Sequence, residues 1–120
     1  MSMDGRTCVI TGSARGIGRG IAEYLGEEGA NVVINYRSSE EDAYEAVDAI
    51  ESAGGSAVAA QADVSDRADV EHMQDVCHDA FGQCDVLVNN AGITADKQFT
   101  EMSREEWDRV MDVNLGGMFN

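Results

Sequence analysis

The 120-residue sequence contains no proline and a single lysine, Lys97. The first absence excludes collagen-like, proline-rich and linker readings, because ordinary chains carry about 5% proline. The second belongs to a wider shortage of cations: 8 basic residues stand against 23 acidic ones, a formal net charge of −15. Phosphate affinity needs clustered cations, so neither a nucleic-acid binder nor a binder of anionic membranes is expected. Cysteine is scarce too. Cys8, Cys77 and Cys84 form an odd set with no C-x-x-C pair, so neither a disulfide framework nor a metal site is expected. His72 and His78, six residues apart, point to different faces of a helix and do not change that. No apolar run approaches a membrane span, and Met1 to Arg6 lack a basic signal n-region. These absences point to a reduced, cytoplasmic protein.

What is present is a foldable chain. Apolar residues make up 43% and the charge is spread rather than blocked, which argues against disorder. The length suits one domain burying roughly two-thirds of its unfolded surface. An acidic, lysine-poor surface suits a protein kept soluble in high salt, where screening suppresses self-repulsion; an ordinary acidic protein is the alternative.

Two kinds of segment alternate. Short apolar runs at Thr7–Ile10, Asn31–Asn35, Ser56–Ala60 and Val86–Val88 read as strands. Between them lie helical stripes: Ile17, Ile21 and Leu25; Ala43, Ala46, Val47 and Ile50; and Val70, Met73, Val76, Cys77, Ala80 and Phe81. Gly29, Gly54-Gly55 and Gly82 mark helix ends, and Ser39 and Ser65 are expected at or near helix starts. A fourth helix is expected from the Ser103/Glu106 capping box and the stripe Trp107, Val110, Met111, Leu115 and Met118. The alternation is βαβαβαβ, which predicts an α/β fold with a parallel sheet, right-handed crossovers and helices on both faces.

The first strand runs directly into Thr11-Gly12-Ser13-Ala14-Arg15-Gly16-Ile17-Gly18 and then a helix. Glycines there allow a tight turn and close approach of a pyrophosphate, and a helix N-terminus offers free N–H groups with partial positive charge. The G-K-[ST] of a P-loop is lacking. A site preferring NAD places an acid near the end of the second strand for the ribose 2′-hydroxyl. Asn35, Tyr36 and Arg37 include none, while Arg37 and Arg15 suit bidentate contact with a 2′-phosphate. Two solvated surface arginines are the alternative.

Together, T-G-x-x-x-G-x-G at Thr11–Gly18, Asp63-Val64 after the third strand, Asn89-Asn90-Ala91-Gly92 after the fourth, and Asn114 resemble the N-terminal half of a short-chain dehydrogenase/reductase. The resemblance implies a Rossmann-type, doubly wound sheet, here truncated to four strands in order 3-2-1-4, with residues 1–120 forming the dinucleotide-binding half. It implies NADP(H) as cofactor. Gly12, Ser13, Arg15, Gly16, Ile17 and Gly18 would surround the phosphates, and Arg37 would face the 2′-phosphate. Asp63 would bond the adenine amine, with Val64 contributing backbone and Asn90, Ala91 and Gly92 lining the ribose side. For Asp63 a role beside the following helix start is nearly as good a reading, and Asn89 and Asn90 could instead tie strand ends together. Asn114 would support a proton relay. Asn89–Thr94, Met102, Trp107 and Asn114–Leu115 look most like 3-oxoacyl-acyl-carrier-protein and acetoacetyl-CoA reductases, with sugar dehydrogenases such as glucose 1-dehydrogenase as competitors. The family is usually homo-oligomeric.

That family uses a Ser, a Tyr and a Lys, the last two spaced Y-x-x-x-K, so that the Tyr handles the substrate proton and the Lys lowers its pKa. No Y-x-x-x-K occurs among these residues; the tyrosines are Tyr24, Tyr36 and Tyr44. The expectation is therefore a cofactor-binding fragment, inactive alone. A non-catalytic dinucleotide-binding module and a non-functional remnant are the other readings.

Overall fold

The computed structural model describes residues 3–91 and Glu105. The elements run β1 (Thr7–Ile10), α1 (Gly16–Glu27), β2 (Asn31–Tyr36), α2 (Glu40–Ser52), β3 (Ser56–Gln61), α3 (Arg67–Phe81) and β4 (Val86–Val88). The strands form one sheet in the order β3-β2-β1-β4. Each pairing is parallel, with Thr7 opposite Asn31, Asn31 opposite Ser56 and Cys8 opposite Val86. This is the expected α/β Rossmann-type arrangement. The expected fourth helix and the positions Gly92 and Asn114 lie outside the described residues.

Strands covered on both faces are apolar throughout. All four β1 residues are buried, as are Val32, Val33 and Ile34 of β2. Strand alternation divides them between two cores. Cys8, Ile10, Val32 and Ile34 pack with Ala22, Ala43, Ala46, Val47 and Ile50. Val9 and Val33 pack with Met73 and Cys77 of α3. The α2 stripe is thus buried at all four expected positions. A Cβ at Gly26 or at Gly55 would stand 2.8 Å from Ile50 Cγ2, so two bare backbones let this side chain fill the α1–α2 contact.

Other expectations need correction. Ile17 is 79% exposed; α1 instead turns Gly18, Ala22 and Gly26 inward, with Ile21 and Leu25 half-buried beside the core. Ala80 is exposed at the last turn of α3. Ser39 is the α2 N-cap residue but makes no side-chain cap bond. The α3 cap is Asp66, not Ser65: its carboxylate accepts the N–H groups of Ala68 and Asp69, and Ser65 turns back to Asp63. A carboxylate also complements the helix dipole, which favours Asp66 for the position. The helix-ending glycines behave as read, with φ of 96° at Gly29, 93° at Gly54 and 81° at Gly82.

Candidate dinucleotide site

At the carboxyl ends of β1, β2 and β3 the chain encloses a cleft of about 330 Å³. Strand order reverses between β1 and β4, and open α/β sheets bind ligands at such a switch point. One wall is the glycine loop. Gly12 and Gly16 both sit at φ 64°, a region that L side chains avoid, so the loop's turn depends on glycine at these two places.

Two asparagines hold the loop in shape. Asn35, 2% exposed, accepts the Gly12 N–H on Oδ1 at 2.9 Å. Its Nδ2 donates to the carbonyls of Ala60 at 3.2 Å and Ala62 at 3.3 Å. Asn90 Nδ2 donates to the carbonyls of Thr11 at 3.1 Å and Gly12 at 3.2 Å. Thr11 Oγ1 in turn accepts the N–H groups of Asn90 and Ala91, each at 3.0 Å. Asn90 therefore does tie strand ends together, here β1 and β4. A Cβ at Gly18 would run into the Asn90 amide and stand 2.7 Å from the Gly12 carbonyl. The third glycine is required by this close approach rather than by its own dihedral angles.

The N-terminus of α1 differs from those of α2 and α3 in that its first turn carries no acid. Its N-cap residue is Arg15, whose side chain, like that of Ser39 in α2, makes no cap bond. The first turn of α2 holds Glu40, Glu41 and Asp42, and that of α3 holds Asp69 behind the Asp66 cap. Uncapped N–H groups and an unopposed dipole leave α1 receptive to an anion.

The opposite wall is the β2 end. Tyr36, Arg37, Ser38 and Ser39 line it, and none is a carboxylate. Arg37 is exposed and, among the described residues, makes no ion pair; its carbonyl accepts from Gln61 Nε2 at 3.1 Å. Arg15 is also exposed, 3.6 Å from Asp42. Burial, followed by the neighbouring Glu40 and Tyr44, pushes the Tyr36 hydroxyl up, so it remains a proton donor at neutral pH. Arg19 faces away, held by Glu23 at 2.9 Å and Glu45 at 3.7 Å.

Of the residues proposed from sequence, Gly12, Arg15, Gly16, Arg37, Asp63, Val64, Asn90 and Ala91 line this one cleft. Ser13 does not: it is fully buried, donating to the Ile10 carbonyl at 2.6 Å and accepting the Asn35 N–H at 3.0 Å. Its side chain braces the loop. Ile17 and Gly18 also stand outside the lining. Asp63 Oδ1 accepts from the backbone and hydroxyl of Ser65, at 3.0 and 2.6 Å, which gives the carboxylate a turn-forming role beside α3. Sequence reading missed Asn35 and Thr11 as organisers; a polar residue closing the apolar run Val32-Val33-Ile34 was the available signal. It also missed Asp85, which accepts the Thr7 N–H at 2.8 Å and joins the starts of β1 and β4. Among the described residues no cluster could hold a metal ion, and no helix is long and apolar enough to cross a membrane.

Comparison with known proteins agrees with this geometry. The family model for short chain dehydrogenases matches residues 6–120. The chain is 51% identical over 117 residues to 3beta-hydroxysteroid dehydrogenase 1 of Eggerthella lenta, covering 98% of this chain and 45% of that protein. It is 47% identical over 115 residues to the 3-oxoacyl-[acyl-carrier-protein] reductase FabG of Staphylococcus aureus, covering 96% and 47%. It is 43% identical over 118 residues to glucose 1-dehydrogenase 2 of Bacillus subtilis, covering 98% and 46%. A short chain dehydrogenase from Burkholderia cenocepacia, solved in complex with NADP, superposes with a TM-score of 0.94 at 37% identity, over 99% of this chain and 49% of that one. The chain spans about half the length of the curated relatives it matches. With a glycine loop, an uncapped helix N-terminus and a switch-point cleft in the positions this fold uses, the chain belongs to the short-chain dehydrogenase family.

Proposed function

We propose that these residues form the dinucleotide-binding half of an NADP(H)-dependent oxidoreductase, and that the parent activity is reduction of a 3-oxoacyl thioester. The observation that carries the cofactor reading is the cleft wall at the β2 end, which holds exposed Arg37 and no carboxylate where a 2′-hydroxyl would need an acceptor; exposed Arg15 stands across from it on the glycine loop. A planar guanidinium forms paired, charge-assisted bonds with a phosphate. The α1 N-terminus suits the pyrophosphate, since neither a cap side chain nor an acid competes for its N–H groups. The solved relative's NADP complex supports the same choice.

When bound, the nicotinamide supplies a hydride. The chain's own residues hold and orient the dinucleotide: Gly12 and Gly16 by shape, Arg15 and Arg37 by charge, and Asn35 and Asn90 by bracing the loop. Asp63 and Val64 lie where the adenine end would rest. Ser13, Ile17, Gly18 and Gly92 complete the proposed loop set, and Asn114 is proposed as a proton-relay support. Reduction of a ketone also needs an acid at the developing alkoxide. No Y-x-x-x-K is present to provide it, so these 120 residues bind cofactor without turnover.

The thioester substrate rests on the likeness to 3-oxoacyl-carrier-protein reductases. A steroid is the second reading, favoured by the 51% identity to a hydroxysteroid dehydrogenase. The test is NADPH oxidation with acetoacetyl-CoA, a 3-oxosteroid and a sugar lactone. It uses the chain alone and the chain joined to a related C-terminal half. Turnover of the thioester by the joined protein only is expected. Turnover by the 120 residues alone overturns the fragment reading; preference for the steroid or lactone overturns the thioester.

A further inference from the structure

Away from the cleft, near the amino ends of the strands, lies a thiol pair that dinucleotide binding does not use. Cys77 sits in the last two turns of α3, fully buried against the sheet face that packs Val9 and Val33. Its Sγ donates to the Gln83 carbonyl at 3.3 Å. The chain then reverses through Gly82, at φ 81°. That reversal brings the exposed Cys84 back beside α3, its Sγ donating to the Val86 carbonyl at 3.6 Å. The Gln83 carbonyl that receives the Cys77 thiol belongs to the peptide joined to Cys84, so the Cys84 backbone stands directly beside Cys77. Both cysteines are free. With no metal-competent cluster among the described residues, the chemistry open to the pair is that of two thiols.

We propose that Cys77 and Cys84 form an oxidation site for hydroperoxides, in which exposed Cys84 meets the oxidant and buried Cys77 resolves it as a disulfide. In the first step the Cys84 sulfur attacks one peroxide oxygen and the O–O bond breaks. Cys84 becomes a sulfenic acid, and the departing alkoxide takes the thiol proton and leaves as an alcohol, or as water from hydrogen peroxide. In the second step the Cys77 sulfur, giving up its proton, attacks the Cys84 sulfur. The S–O bond breaks, hydroxide leaves with that proton as water, and the S–S bond forms. Two thiols and one hydroperoxide give one disulfide, one alcohol and one water. The sulfurs lose the two electrons that the O–O bond gains.

Exposure divides the labour. A hydroperoxide can reach Cys84 but not Cys77. Burial, then the neighbouring Cys84 and Asp85, pushes the Cys77 thiol up to about 11, so its thiolate is rare at neutral pH. The second step is then the slow one, although a high-pKa thiolate is a strong nucleophile once formed. Cys8 is fully buried in the other core, with α1 and α2, where a hydroperoxide does not reach it directly. The bond would staple the end of α3 to the residue before Asp85, which holds the Thr7 N–H.

The test treats the folded 120-residue chain with hydrogen peroxide, blocks remaining thiols by alkylation and maps the peptides by mass spectrometry. The expected product is one intramolecular link between the Cys77 and Cys84 peptides, reversed by dithiothreitol, with Cys8 alkylated. In Cys77→Ser, dimedone should trap a sulfenic acid at Cys84; in Cys84→Ser no link should form. In concentrated urea the selectivity should vanish. A link that includes Cys8, a Cys84–Cys84 bond between two chains, or equal selectivity in urea would overturn the proposal.

Discussion

Asn35 accepts the Gly12 N–H at 2.9 Å, so a side chain at the end of β2 sets the shape of the turn that leaves β1. The same amide donates to two carbonyls at the end of β3, which places one buried group at the junction of three strands. Replacing it by leucine would remove one accepted and two donated hydrogen bonds at once, and a buried group that loses its partner carries a desolvation penalty, so Asn35→Leu should cost about 2–4 kcal/mol. Urea unfolding of the two proteins measures this, and equal midpoints would remove Asn35 from the role of organiser.

Gly18 and Gly20 separate close approach from helix propensity. A methyl group at 18 meets the Asn90 amide and the Gly12 carbonyl, whereas at 20 nothing lies within 4 Å. Gly18→Ala should destabilise by about 1–3 kcal/mol through forced displacement and weaken cofactor binding with it. Gly20→Ala, in the same helix, should stabilise by up to about 1 kcal/mol. Thermal melts of both variants distinguish the two effects by sign.

Much of the fold was legible because it depends on local patterns. The α2 stripe of Ala43, Ala46, Val47 and Ile50 is buried as spaced, and β1 and β4 begin and end where their apolar runs do. What sequence could not supply depends on partners distant along the chain. Asn35 is polar and was read only as the absence of an acid; its role exists because the ends of β1 and β3 arrive beside it. Ser13 belongs to the glycine loop by spacing, but the Ile10 carbonyl turns it inward. Ile17 fits the α1 stripe by number, yet at the first turn it stands clear of the core. Asp66 and Ser65 are both good caps, and only the turn that binds Ser65 to Asp63 decides between them.

Alkaline pH should loosen the fold. The folded Cys77 thiol is raised to about 11 and Cys8 is raised as well, mainly by burial. An unfolded cysteine titrates near 8.5. Below that value both states keep the proton and the stability is complete. Above it the unfolded chain releases protons that the folded chain retains, so stability falls as pH rises toward 11. Melting midpoints between pH 8 and 11 should decline on this ground, and Cys77→Ala should flatten part of the slope.

Salt should act in the opposite direction. A formal charge of −15 repels itself in the compact state, and screening relieves that repulsion. The melting midpoint should be higher in molar KCl than in dilute buffer. Equal midpoints would contradict the high-salt reading of the composition.

Cofactor preference tests the central claim most directly. Calorimetric titration of the chain with NADPH and with NADH, repeated on Arg37→Ala, compares the 2′-phosphate and the 2′-hydroxyl at one site. NADPH should bind more tightly, and Arg37→Ala should lose about 1.5–3 kcal/mol of that preference, the worth of a charge-assisted hydrogen bond. Equal affinity for the two dinucleotides, or a preference for NADPH that Arg37→Ala leaves intact, would contradict the account.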